Sequence, residues 1–178
     1  MYNEKEVTLK FGKTVVLRQP TLNDAQTFTD FINGLVKEET FEYAGPQRLK
    51  DEEEFIEFLL SEIKENKGVH IIADYNGEKI AGADLTNCGY KKEHVVEMQL
   101  FVRKDFRGEG LGTELLKELE NEVRKIAGIK TIILDVFGNN EGAIRLYKSF
   151  GYEECGRFPS ILRYKNSLVD AVGMYKHL

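Results

Sequence analysis

Residues 94–126 read HVVEMQLFVRKDFRGEGLGTELLKELENEVRKI, and the fold is decided within them. Over His94–Val102, the residues Val96, Met98, Leu100 and Val102 fall on one face, while Glu97, Gln99 and Phe101 share the other. That alternation is a strand. From Leu111 onward, Leu115, Leu116, Leu119, Val123 and Ile126 recur at helical spacing and predict a helix with one core-facing side. Between the two stands Arg107-Gly108-Glu109-Gly110-Leu111-Gly112. Glycines let backbone amides approach a ligand closely, and a helix N-terminus adds free N–H groups and the positive end of a dipole. Such a turn suits a pyrophosphate, with Arg107 as a charged partner. The plainer alternative is a tight strand-to-helix turn that uses glycine for backbone freedom alone.

Two familiar phosphate loops are excluded. After Gly112, Thr113 and Glu114 stand where a Walker A loop carries Lys and Ser/Thr. The dinucleotide pattern G-x-G-x-x-G fails as well, because Gly108, Gly110 and Gly112 alternate strictly. Arg107-x-x-Gly110-x-Gly112, following a strand that ends at Val102 and the basic pair Arg103-Lys104, resembles the acyl-CoA-binding signature of the GNAT superfamily of N-acetyltransferases. Downstream, Thr131–Val136 is a β-branched strand, followed by Asn140-x-x-Ala143 and Leu146-Tyr147-x-x-x-Gly151-Tyr152, which resembles that superfamily's second signature. Val15–Thr21 with Asp24 resembles its opening strand and helix. Val169–Met174 is similar to the closing strand of bacterial amino-acid N-acetyltransferases.

The resemblance runs from about Thr14 to the end and implies one domain over residues 1–178. It implies an α/β fold whose mixed, mostly antiparallel sheet splays at the acyl-CoA site, with helices on both faces. It implies acetyl-CoA as acyl donor and a primary amine of a small molecule as acceptor, joined by direct attack in a ternary complex. Main-chain groups of Leu100, Phe101 and Val102 would hold the pantetheine, and a β-bulge there would aim an amide N–H at the thioester carbonyl. Backbone amides of Arg107, Gly108, Glu109, Gly110, Leu111, Gly112 and Thr113 would hold the pyrophosphate. Asn140, Ala143 and Tyr147 come to the cofactor from the second signature. Asn140 reads equally as a helix N-cap.

Tyr147 is implied as the acid that protonates the leaving thiolate. Because Ala143, Leu146, Tyr147 and Phe150 also form an apolar helical stripe, a core tyrosine is the competing reading. An amine of lysine-like basicity is mostly protonated at neutral pH, so a base is needed. Glu97 and His94, on and beside the motif strand, are the candidates, directly or through a water. The acceptor site is expected in the acidic, aromatic segment Glu38–Tyr43, with Glu39, Phe41, Glu42 and Tyr43 as its residues; a solvated loop is the alternative. Phe158–Tyr164 is a second contributor.

Composition sets bounds. The chain of 178 residues carries 25 Lys and Arg against 30 Asp and Glu, for a net charge of −5. That balance, without a basic run, argues against sequence-nonspecific nucleic-acid binding. Two cysteines, Cys88 and Cys155, form neither a disulfide framework nor a zinc motif, and no metal site is expected. They sit in no motif, which disfavours an acyl-cysteine route. The sequence has no apolar stretch of about 18 residues and no signal-peptide pattern, so a cytoplasmic protein without a membrane partner is expected. A homodimer is left open.

Along the chain, Val7–Phe11 and Thr14–Arg18 read as a hairpin around Gly12-Lys13. Thr21-x-x-Asp24 opens a helix to about Lys37, Glu38–Leu49 reads as a loop, and Asp51-x-x-Glu54 starts a second helix. Val69–Tyr75 and Lys79–Leu85 pair across Asn76-Gly77. Lys91-Lys92-Glu93 is a polar turn, and Glu153–Arg157 and Val169–Tyr175 are closing strands. Three other readings compete with a small-amine acetyltransferase: a protein N-terminal acetyltransferase, a non-catalytic acyl-CoA-binding module and a nucleotide-binding domain. The last is disfavoured by the absent Walker lysine.

Overall fold

The structure is a computed structural model that describes residues 2–38 and 45–178. These residues form strands β1 (Lys5–Thr8), β2 (Thr14–Arg18), β3 (Val69–Tyr75), β4 (Glu78–Asn87), β5 (Val95–Val102), β6 (Thr131–Phe137), β7 (Glu153–Tyr164) and β8 (Ser167–His177). The helices are α1 (Ala25–Lys37), α2 (Leu49–Lys64), α3 (Leu111–Val123) and α4 (Glu141–Ser149). The strands make one sheet in the order β1-β2-β3-β4-β5-β6-β8-β7. Every pairing is antiparallel except β5 with β6.

Local chemistry explains most boundaries. Asn76 and Gly77 both take positive φ (55° and 84°), the geometry a two-residue hairpin turn requires. At the start of α1, Asp24 accepts from the Thr21 amide (2.7 Å) and hydroxyl (2.8 Å). Arg18 clamps the same carboxylate and also reaches Asp74 at 2.9 Å, so one guanidinium ties β2, β3 and the start of α1.

Helix α2 begins at Leu49 rather than Asp51. The amide of Arg48 donates to the Asp51 carboxylate, which makes Asp51 the third residue of the helix and Arg48 its cap. Strand β1 starts and ends earlier than the expected Val7–Phe11 and leaves Leu9–Lys13 as a wider loop, while β2 spans Thr14–Arg18 as expected; the closing strands run longer than their apolar cores.

Helices cover both faces of the sheet. On one, Ala81, Ala83 and Leu85 of β4 and Val96 and Met98 of β5 join the core built on α3. Leu111, Leu115, Leu116 and Leu119 of α3 are at most 1% exposed, and each buried leucine contributes roughly 1.5–3 kcal/mol over leaving it in water. On the other face, Phe28 of α1 and Ile56 and Leu59 of α2 pack on Ile72 of β3. The intervening residues of β4 and β5 turn toward α1 and α2 and line a cavity there.

Candidate active site

β5 is paired with β4 along its whole length but with β6 only at Val95, Val96 and Glu97. Beyond Glu97 the two parallel strands part. The Val95 carbonyl accepts from Cys88 and the Arg103 amide donates to Ile80, so odd-numbered residues of β5 point their main-chain groups at β4. Met98, Leu100 and Val102 therefore turn theirs into the opening. On the far side Gly138 donates to Asp170 of the β6–β8 pair, so the odd-numbered Asp135 and Phe137 of β6 face the opening from across it.

This corrects two expectations. The β4–β5 register is unbroken from Val96 to Val102, so no bulge stands in β5; strand divergence alone exposes the amides. Phe101 turns its main chain to β4, and its side chain instead lines the cavity on the opposite face.

The glycine turn sits at the open end. Gly108 and Gly110 have φ of 75° and 91°, and Gly110 caps α3 in the left-handed conformation. Helix geometry leaves the amides of Leu111, Gly112 and Thr113 without intrahelical acceptors. A Cβ on Gly112 would lie 3.4 Å from Leu146 and 3.8 Å from Leu100, so α3, α4 and β5 converge at this point. The side chain of Leu111 is core, and that of Glu109 is buried and turned away to Lys13 (2.5 Å); these residues offer backbone only.

Arg107 departs from expectation. Its amide is taken by the Lys104 carbonyl (3.2 Å) and its guanidinium by the Val102 carbonyl (2.7 Å) and Glu38 (2.9 Å). In this arrangement it braces the end of α1 against the end of β5.

Helix α4 brings the second signature to the same place. The Asn140 side chain accepts from the Ala143 amide at 3.2 Å, as an N-cap does. Tyr147 is 6% exposed, with its ring 5.8 Å from that of Tyr152. Glu97 is exposed at the point where β5 and β6 separate, on the face shared with the cavity. His94 is exposed at the closed end, where its carbonyl accepts from Lys130 and Thr131. It stands six residues, roughly 20 Å of strand, from Leu100.

Across β5 from α3 lies a cavity of about 340 Å³ walled by Phe28, Phe31 and Ile32 of α1, Phe55 of α2, and Gly82, Asp84, Gln99 and Phe101 of the sheet. Asp51, Glu52 and Lys79 add charge. Lys79 is 6% exposed and holds its ammonium 3.1 Å from the centre of the Phe28 ring, a buried cation–π contact.

The segment with Glu39, Phe41, Glu42 and Tyr43 lies outside the described residues. Its described flanks reach the site: Gln47 lines the cavity and is held to Asn33 of α1 by two hydrogen bonds, and Glu38 binds Arg107. Of Phe158–Tyr164, Tyr164 packs edge-on against Phe137 while Phe158 and Ile161 are exposed. The cavity's own residues were missed from sequence; strand alternation separates Gly82 and Asp84 from the core side, but only the packing of α1 and α2 makes them a wall.

The profile of the acetyltransferase (GNAT) family matches residues 32–152. The chain belongs to that family. It is 34% identical over 105 residues to an uncharacterized N-acetyltransferase of Methanocaldococcus jannaschii, covering 59% of this chain and 64% of that protein. A probable spermine N(1)-acetyltransferase of Bacillus subtilis subsp. natto is 40% identical over 55 residues, 31% of this chain and 36% of the relative. An N-alpha-acetyltransferase of Sulfurisphaera tokodaii is 26% identical over 157 residues, 82% of this chain and 84% of the relative. Among solved structures, yncA from Salmonella typhimurium, described as a putative acetyltransferase with its cofactor acetyl-CoA, superposes with a TM-score of 0.80 at 19% identity over 92% of this chain and 94% of its own. Among the described residues no helix is long and apolar enough to cross a membrane, and no acid, His and Cys cluster forms a metal site.

Proposed function

We propose that this chain is an acetyl-CoA-dependent N-acetyltransferase that acetylates the primary amine of a small molecule by direct attack in a ternary complex. One observation carries the reading: the opening between β5 and β6 leads from the free amides of α3 along unpaired main chain, and the cavity lies just across the same strand. The residues present fit the donor. Amides at Leu111, Gly112 and Thr113 suit a pyrophosphate, and the outward-turned groups of Met98 and Leu100 with the Val102 amide, whose carbonyl is held by Arg107, suit an extended amide-bearing arm. Bound acetyl-CoA supplies the activated acyl group. Amides of β5 are available to a carbonyl oxygen that gains charge, and Tyr147 is the acid for the departing sulfur.

The cavity favours a compact amine with an apolar body, since phenylalanines wall it and its volume suits a small ligand. Direct transfer is favoured over an acyl-cysteine route. Cys155 is exposed on β7, and burial together with nearby Glu97 pushes the Cys88 thiol above its usual range, away from thiolate. A protein α-amine is the second acceptor reading, favoured by the N-alpha-acetyltransferase relative that matches most of the chain.

The test incubates the protein with acetyl-CoA and a panel of 2-phenylethylamine, spermidine, amino acids and an N-terminal peptide, reading thiol release and acetyl mass gain. Intersecting initial-rate lines support the ternary complex and parallel lines refute it. Acetyl-CoA binding without transfer to any amine would identify a binding module instead.

A further inference from the structure

The function proposed above needs a group that takes a proton from the acceptor ammonium, and the cavity holds a better placed one than Glu97 or His94. Asp84 lines the cavity and pairs across the sheet with Gln99, one strand, about 5 Å, from the opening. Gly82 beside it carries no side chain, and the Lys79 side chain takes the space there: a Cβ on Gly82 would lie 3.0 Å from Lys79 Cε and 3.3 Å from Nζ.

Behind Asp84 stands His70, fully buried on β3, with Nδ1 3.1 Å from Asp84 Oδ1. An ionised carboxylate only accepts, so Nδ1 carries the proton and donates it. Nε2 is buried without a hydrogen-bond partner among the described residues, so Asp84 is the side chain that holds the ring. Gly68 leaves room for that ring: a Cβ there would lie 2.8 Å from Nε2. A buried histidine behind a cavity-facing aspartate is an orienting arrangement.

We infer that Asp84 accepts the proton of the acceptor ammonium, and that His70 is the positioning residue that holds its carboxylate toward the cavity. This rests on the acetyltransferase reading. From ammonium to finished amide the nitrogen loses two protons. Asp84 lifts the first, which frees the lone pair that forms the N–C bond as the C–S bond breaks. One proton balances the departing thiolate by way of Tyr147, and the other leaves to solvent.

Of the other carboxylates on the cavity wall, Asp51 is less suited. Asp51 is bound by Arg48, which holds its carboxyl down at about 2 and leaves it a weak base. Glu52 and Lys79 line the cavity too, and Glu62 accepts from the Asn87 amide near His70. Residues of α1 contribute only apolar groups to the wall.

The experiment compares wild type, Asp84→Asn, His70→Asn and His70→Ala, using the panel amine turned over fastest, 2-phenylethylamine first. Asp84→Asn should lose about 100-fold in kcat at neutral pH, the lower part of the range for general acid–base groups. The deficit should shrink below about tenfold as pH nears 10, because an amine of lysine-like pKa then deprotonates itself. Acetyl-CoA affinity should be unchanged.

His70→Asn keeps an N–H where Nδ1 stood and should retain activity within about tenfold. His70→Ala should match Asp84→Asn, pH recovery included. If Asp84→Asn does not fold, the two His70 variants carry the same comparison. Wild-type turnover in Asp84→Asn, or a deficit equal at neutral and high pH, overturns the inference alone. A wild type that acetylates no amine overturns the proposed function and this inference together.

Discussion

Replacing Gly110 with valine separates the phosphate reading of the glycine turn from a purely structural one. Gly110 holds φ at +91° as the cap of α3, and a Cβ built there meets nothing within 4 Å. The cost to the free protein is therefore conformational. Holding an L-residue in the left-handed region costs roughly 1–2 kcal/mol. For a domain of 178 residues, 1 kcal/mol moves the melting temperature by about 2–4 °C, so Gly110→Val should melt roughly 2–8 °C lower. Relaxing that strain rotates the peptide groups that aim the first amides of α3, and the new side chain stands where phosphate would approach. Loss of even one hydrogen bond to a charged group is worth about 1.5–3 kcal/mol, so acetyl-CoA should bind at least tenfold more weakly. Gly128→Val is the control. Gly128 also has positive φ (+92°) and open space around it, but it lies beyond the far end of α3, so it should show a similar melting shift with normal binding. Calorimetry with acetyl-CoA alongside thermal melts reads both quantities. Normal affinity in Gly110→Val would refute the pyrophosphate site.

Tyr147→Phe keeps the buried ring and removes the hydroxyl; it should lower kcat at least about tenfold with an unchanged melt, whereas a lower melt with normal turnover would make Tyr147 a core residue only. Gly68→Ala would place a Cβ 2.6 Å from the Leu85 carbonyl oxygen, a backbone atom with little room to retreat, so calorimetric or denaturant unfolding should show a loss of about 1–3 kcal/mol. For Asp24, burial pushes the carboxyl up, but the Arg18 guanidinium and the Thr21 amide and hydroxyl outweigh it and hold the pKa below the ordinary value. A depressed carboxylate stabilises the fold above its unfolded pKa, and that contribution disappears as pH falls through the folded one. Asp24→Asn should therefore melt well below wild type at neutral pH, with the gap narrowing toward about pH 3; a gap independent of pH would show that the pairing with Arg18 adds no charge-dependent stability.

Local pattern determined a great deal here. Alternation over Val96–Val102, leucines at helical spacing from Leu111, the Asn76-Gly77 turn and the Thr21–Asp24 cap each depend on residues a few positions apart, and the structure has each where the pattern places it. The glycine turn and the Asn140 cap were legible for the same reason. What tertiary structure alone decided is which groups meet. That β5 parts from β6 after Glu97 depends on register between strands about 35 residues apart, and it, rather than a bulge, exposes the amides of Met98, Leu100 and Val102. The bond from Arg107 to Glu38 spans 69 positions, so nothing near the glycine turn foretells it. The cavity joins α1, α2, β4 and β5, and His70 reads in sequence as one polar residue within an apolar strand until the β3–β4 register sets it beside Asp84. Sequence period says which face a side chain takes, because that is set by backbone geometry within its own element; it does not say what packs on that face, because that is set by the closing of the whole core.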